Sequence, residues 1–128
     1  MDKIIMKGMR FFGHHGVLSQ EKELGQIFEV DLELSIDLGP SGHKDDLSLT
    51  VSYADVFAFV EELVTGPPMN LIEAVAQRLA RGVLERFTPV QAVRVFLKKP
   101  SAPVQGLFDY MAVEISRERN KEAVSNKL

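Results

Sequence analysis

The stretch Phe28-Glu29-Val30-Asp31-Leu32-Glu33-Leu34-Ser35-Ile36-Asp37-Leu38 decides the fold. Its even-numbered positions are all apolar and its odd-numbered ones all polar. Successive side chains of a strand point to opposite sides, so this is a strand in a sheet with one apolar and one polar face. Gly39-Pro40-Ser41-Gly42 breaks it. Upstream, residues 3–12 carry β-branched and aromatic residues and end at Gly13, which predicts a first strand. Downstream, the period changes. Ser52 precedes Tyr53-Ala54-Asp55 as an N-cap, and Val56, Phe59, Val60 and Leu63 recur at helical spacing as far as Val64. Gly66-Pro67-Pro68 stops that helix. Asn70 and Glu73, three residues apart, form a capping pattern opening a second helix. Val75, Leu79, Val83 and Leu84 line its apolar stripe, and Pro89 ends it.

Strands then return. Ala92–Lys98 alternates Val93, Val95 and Leu97 against Arg94 and Lys98, although Phe96 interrupts the polar row. Pro100-Ser101-Ala102-Pro103 forms a rigid loop, and Leu107–Ser116 reads as the last strand. The expected fold is α+β: ββααββ, a four-stranded antiparallel sheet with both helices on one face and the other, polar face bare. Such a sheet has two open edges, which natural proteins cover, charge or pair. Open edges and a polar far face together predict closure into a barrel by several subunits, with sites between chains.

The chain of 128 residues fits one domain, expected at residues 1–117, followed by a charged, flexible tail at 118–128. Net charge is −3, from 15 basic and 18 acidic residues, which argues against nucleic acid as a partner. The absence of cysteine removes disulfides, thiolate nucleophiles and Cys-ligated zinc. No stretch approaches the roughly 18 apolar residues of a membrane span, and the first residues lack a signal-peptide core, so a cytoplasmic location is expected.

No local motif names a chemistry. The chain has no phosphate-binding glycine fingerprint, His-Glu-x-x-His pattern or Gly-x-Ser-x-Gly elbow. His14 and His15 are adjacent, so on a strand they would point to opposite faces; they read as loop histidines without a ligand role. Tyr53, at a helix start, is either a half-buried aromatic or a functional hydroxyl. Glu73 either completes the Asn70 cap or serves a ligand. Glu21, within Glu21-Lys22-Glu23, reads on its own as solvated. Of Lys98 and Lys99, one must face the helices. If that is Lys99, it requires a partner or a cavity.

Segments in order along the chain resemble dihydroneopterin aldolases: Gly8-Met9-Arg10-Phe11, His15-Gly16-Val17-Leu18 with Glu21, Leu24-Gly25-Gln26-Ile27-Phe28, Asp45-Asp46-Leu47, Val51-Ser52-Tyr53-Ala54, Asn70-Leu71-Ile72-Glu73, and Lys99-Pro100 followed by Ala102-Pro103-Val104. The resemblance spans residues 8 to about 115. It implies a tunnelling fold in tetrameric rings that commonly stack into octamers, with active sites at subunit interfaces. The implied reaction is retro-aldol cleavage of 7,8-dihydroneopterin, often with side-chain epimerisation to dihydromonapterin, using neither metal nor cofactor. By resemblance Lys99 is the main acid–base group, and Tyr53 from a neighbouring subunit protonates or orients the enol. Glu73 grips the 2-amino and N3 edge of the pterin. Backbone groups around Val51, Leu71 and Ile72 complete the ring contacts, and Glu21 lies near the substrate tail and the lysine. Gln105 departs from the family pattern, where proline usually precedes the glycine, so the lysine loop is expected to be less rigid.

The nearest rival by the same resemblance is an epimerase acting on the triphosphate of the same pterin. A non-catalytic pterin binder is the rival of another class; it would keep Glu73 without requiring Lys99 or Tyr53. Related enzymes with a three-histidine zinc site or cysteine ligands do not fit these residues.

Overall fold

The computed structural model describes residues 1–119. Four strands, β1 (Lys3–Gly13), β2 (Gln26–Ser35), β3 (Ala92–Lys99) and β4 (Met111–Glu118), form one antiparallel sheet in the order β1-β2-β3-β4. Two long helices, named α3 (Tyr53–Val64) and α4 (Ile72–Arg86) by their place in the chain, cover one face. Two short helices precede them, α1 (Ser19–Leu24) and α2 (Gly39–Lys44), with a single 3-10 turn at Leu47–Leu49. The expected ββααββ order thus holds for the long elements, with short helices added in the connections.

The alternation of β2 does what its pattern dictates. Phe28, Val30, Leu32 and Leu34 are wholly buried against the helices. They meet Val56, Phe59, Val60 and Val64 of α3 and Val75, Leu79 and Val83 of α4 in one core. α3 packs over β1, while α4 packs over β3 and β4. On the opposite face the odd-numbered residues of β2 pair with charged residues of its neighbouring strands. Glu33 accepts from Lys3 and Arg94, and Lys98 donates to Glu29, which also accepts from Arg10. Phe96 belongs to this polar face, where it meets Tyr110 edge-on at 5.9 Å with the Lys98 ammonium near both rings. That aromatic clamp explains the interruption of the polar row.

Boundaries differ from expectation for identifiable reasons. β2 ends at Ser35 instead of Leu38, although Ile36 remains buried beyond it. Residues 39–42 form the start of a short helix, since proline is tolerated in a first helical turn. β4 covers Met111–Glu118 instead of Leu107–Ser116, because its partner β3 runs only from Ala92, opposite Glu118, to Lys99, opposite Met111. Leu107–Tyr110 therefore has no strand to pair with among the described residues. Arg119, placed with the tail from sequence, donates to the carbonyls of Val90 and Gln91. Glu118, also placed with the tail from sequence, ends β4 opposite Ala92, and residues 120–128 of the expected tail lie outside the described residues. A bulge at Lys7-Gly8 interrupts β1; Gly8 has φ +73° and donates its N–H to Asp31 Oδ1 at 2.7 Å.

Candidate active site

Lys99 closes β3 in the same alternating row as Val93, Val95 and Leu97, so its side chain points beneath the helices. An ammonium there requires a partner. The partner is Glu21, whose Oε2 forms an ion pair with Lys99 Nζ; the two side chains are only 7% and 11% exposed. Glu21 sits at the third position of α1. Its Oε1 accepts the Leu18 N–H at 3.3 Å and its Oε2 accepts Gln26 Nε2 at 3.1 Å. Burial pushes the Glu21 carboxyl up. The hydrogen bond and charge of Lys99, with the bonds from Leu18 and Gln26, outweigh it and hold the group below its ordinary 4.5. Gly16 makes this placement possible, because a Cβ there would stand 2.3 Å from Glu21 Cδ. Read alone, Glu21 looked like a solvated loop residue; it is buried. Nothing in Glu21-Lys22-Glu23 betrays a lysine from the far end of the chain.

His15 is also more than a loop histidine. It is fully buried, edge-on to Phe28 at 5.4 Å, and both ring nitrogens are engaged. The Met69 N–H donates to Nδ1 at 3.0 Å, so Nδ1 is unprotonated and Nε2–H donates to the Val64 carbonyl at 2.7 Å. Burial depresses its pKa below the ordinary 6.5; the Val64 bond opposes that, and the His14 and Lys99 charges add to it. Two further links run beside it. Gly16 N–H donates to Met69 O at 3.0 Å, and Lys22 Nζ donates to Gly16 O and Asn70 Oδ1, each at 2.6 Å. Asn70 is therefore not the cap of α4. Leu71 occupies that position without a side-chain cap, and Lys22 takes the Asn70 side chain instead.

Beyond these links come Leu71, Ile72 and Glu73. Leu71 and Glu73 are exposed, Ile72 half-buried, and Glu73 stands in the first turn of α4 with its carboxylate open to solvent. An acid there is favourably placed against the helix dipole. Val51 is buried just ahead of α3, between the 3-10 turn and Tyr53. Tyr53 is 69% exposed and lies elsewhere, lining a groove of about 530 Å³ with Ile5, Met6, Met9 and Phe57 along β1. β1 is one edge of the sheet, whereas Lys99 pairs with Met111 of the other edge strand. One chain thus pairs Glu21 with Lys99 and ties the segment that carries Glu21 to Met69 and Asn70, ahead of Glu73, while Tyr53 lines a groove along the opposite sheet edge.

Among the described residues no group of three or more His, Asp or Glu side chains is arranged to hold a metal ion. Among them, too, no helix is long and apolar enough to cross a membrane.

The sequence and the fold can be compared with those of known proteins. Residues 4–116 match the family model described as FolB, dihydroneopterin aldolase. Dihydroneopterin aldolase 1 of Arabidopsis thaliana is 44% identical over 120 residues, covering 93% of this chain and 82% of that protein. Dihydroneopterin aldolase of Bacillus subtilis is 42% identical, covering 94% of this chain and all of that protein. The crystal structure of the E. coli dihydroneopterin aldolase in complex with neopterin superposes with a TM-score of 0.84 at 30% identity, covering 91% of this chain and 99% of that one. With its fold and its sequence from residue 4 to 116 both in agreement, the chain belongs to the dihydroneopterin aldolase family.

Proposed function

We propose that the Glu21–Lys99 pair is the acid–base centre of a retro-aldol cleavage. The substrate is 7,8-dihydroneopterin and the products are 6-hydroxymethyl-7,8-dihydropterin and glycolaldehyde, serving folate biosynthesis in the cytoplasm. The observation that carries the reading is the buried carboxylate–ammonium pair, whose Glu21 belongs to a segment hydrogen-bonded to Met69 and Asn70 just ahead of α4, in a chain of this family.

The chemistry asks little of the protein. Removal of the 2′-hydroxyl proton lets the C1′–C2′ bond break, releasing glycolaldehyde. The electron pair passes into the C6=N5 imine of the dihydropterin, and N5 takes up a proton. Protonation of C1′ and loss of the N5 proton then give the product. Because the pterin is its own electron sink, no protein Schiff base or metal ion is required. What remains is proton transfer and positioning. Lys99, with Glu21 holding its ammonium, moves the proton between the hydroxyl and N5. Glu73 accepts the 2-amino and N3 hydrogens, two parallel donors matched to one carboxylate. Backbone groups of Val51, Leu71 and Ile72 flank the ring.

Tyr53 enters from a neighbouring subunit. If β1 of one chain pairs with β4 of the next, the Tyr53 beside β1 comes onto the helix-covered side of the neighbour, next to the Lys99 that pairs with Met111. There its hydroxyl protonates or orients the enol. Rings of four, single or stacked as octamers, satisfy both edges. The same enol, rejoining glycolaldehyde on the opposite face, would give dihydromonapterin, so epimerisation belongs to the proposal.

The test is incubation with 7,8-dihydroneopterin in excess chelator, following glycolaldehyde and both pterins by chromatography. Cleavage is expected. Epimer without glycolaldehyde would favour the epimerase reading, and no turnover despite tight binding would favour a pterin binder. Glu73→Ala should weaken neopterin binding by about a hundredfold, the scale of losing a charge-assisted bidentate contact; wild-type affinity would remove Glu73 from the grip.

A further inference from the structure

The two halves of the proposed site, the Glu21–Lys99 pair and the Leu71–Glu73 turn, come from distant parts of the sequence, yet one short segment touches both. Residues 15–22 supply Glu21 to Lys99. The same residues hold the chain ahead of α4 at three points: Met69 N–H to His15 Nδ1, Gly16 N–H to Met69 O, and Lys22 Nζ to Asn70 Oδ1. His15 is the buried member of the three. Its Nε2–H takes the Val64 carbonyl, which ends α3, while its Nδ1 takes Met69. The ring therefore spans the loop 65–68 from end to end and fixes where α4 begins.

We propose that His15, as the neutral tautomer protonated on Nε2, is a positioning residue that sets the Leu71–Glu73 turn relative to Glu21 and Lys99, with Lys22 and Asn70 as a second strut. The inference rests on the reading that Glu73 grips the pterin. A pterin held at one end by Glu73 and attacked at the other by Lys99 demands a fixed separation, and small misplacements cost rate and affinity. His15 is suited to this because its two nitrogens play opposite parts, one donor and one acceptor, in a buried place where each must be satisfied.

The opposite parts also make the inference testable by near-isosteric pairs. The oxygen of His15→Asn can stand where Nδ1 accepts Met69 N–H, but the variant loses the Val64 bond. His15→Gln reaches Val64 with its amide N–H but loses the acceptor for Met69. Each variant drops one buried hydrogen bond, so a merely structural role would lower Tm in both and leave affinity alone. We expect His15→Gln to raise the neopterin Kd and the dihydroneopterin KM about tenfold, the scale of one lost hydrogen bond, with kcat changed less than about threefold. His15→Asn should restore both constants to within about threefold of wild type. Equal affinities in both variants, whether weakened or not, would overturn the role given to the Met69 contact. Should His15→Gln fail to fold, Lys22→Met, an alteration near the surface, decides instead: Kd should rise about threefold, and wild-type Kd would overturn the clamp.

Glu73→Ala is titrated with neopterin in parallel. If it binds as wild type, the gripping reading falls and the positioning role falls with it. If it binds weakly while His15→Gln does not, only the positioning role falls.

Discussion

Lys99 and Glu21 illustrate how far a single residue can be read. Period-two alternation and the chemistry of a buried ammonium say that whichever lysine faces the helices must have a partner, and Lys99 does face them. The partner was implied only by the family resemblance and not by the residues themselves, because a carboxylate on a six-residue helix reads as solvated until the fold brings β3 beneath it. Lys99→Ala should keep neopterin binding within about threefold and lower kcat by about 10²–10⁴, the usual range for removing an acid–base group. Titration and steady-state kinetics on folded protein check this, and unchanged kcat would take lysine out of the mechanism. The same residues predict how stability varies with pH. His15 has a folded-state pKa below 6.5, so its neutral form contributes stability that is complete above that value and is lost as pH falls beneath it. Glu21 is held below 4.5, so its contribution persists until pH falls under that value. Melting curves should therefore show an acid decline in two stages. His15→Asn should abolish the first stage and leave the second; an unchanged first stage would assign it to other groups.

At the scale of elements, pattern and structure agree wherever packing follows periodicity. β2 reads as a strand because alternate residues are apolar, and those residues form the centre of the core. Leu32→Ala should cost about 2–5 kcal/mol, the range for a fully buried leucine, seen as a lower denaturation midpoint with little change in slope. A cost under about 0.5 kcal/mol, typical of surface positions, would contradict its central place. Agreement fails where a side chain has a distant alternative. Asn70 and Glu73 have the spacing of a capping box, but Lys22 claims Asn70 and the cap falls one residue later, at Leu71. Leu107–Tyr110 has strand-like neighbours but no partner strand, since β3 stops at Lys99. Local propensity proposes an element, and pairing decides its length.

Among the described residues the sheet ends at β1 on one side and β4 on the other, with an exposed tyrosine beside the first. The proposed ring, pairing these edges, would bring Tyr53 to a neighbour's Lys99, and complementation tests it. Tyr53→Ala and Lys99→Ala, each inactive alone, should regain up to about a quarter of wild-type activity when mixed and reassembled, since a random ring pairs two intact residues at that frequency. No recovery after demonstrated subunit exchange would place Tyr53 and Lys99 in one chain. Light scattering should show a tetramer or octamer at micromolar concentration, and a monomer would count against the ring. The sequence alone determined the α+β class, the order of the long strands and helices, the polar outer face of the sheet and the family, because each rests on periodicity or on motifs continuous along the chain. Only the tertiary structure decided that Glu21 is buried against Lys99, that His15 spans the loop ahead of α4, and that Asn70 is tied to Lys22. These are contacts between residues far apart in sequence. A carboxylate, an imidazole and an amide carry no local mark of the partner that folding will bring to them.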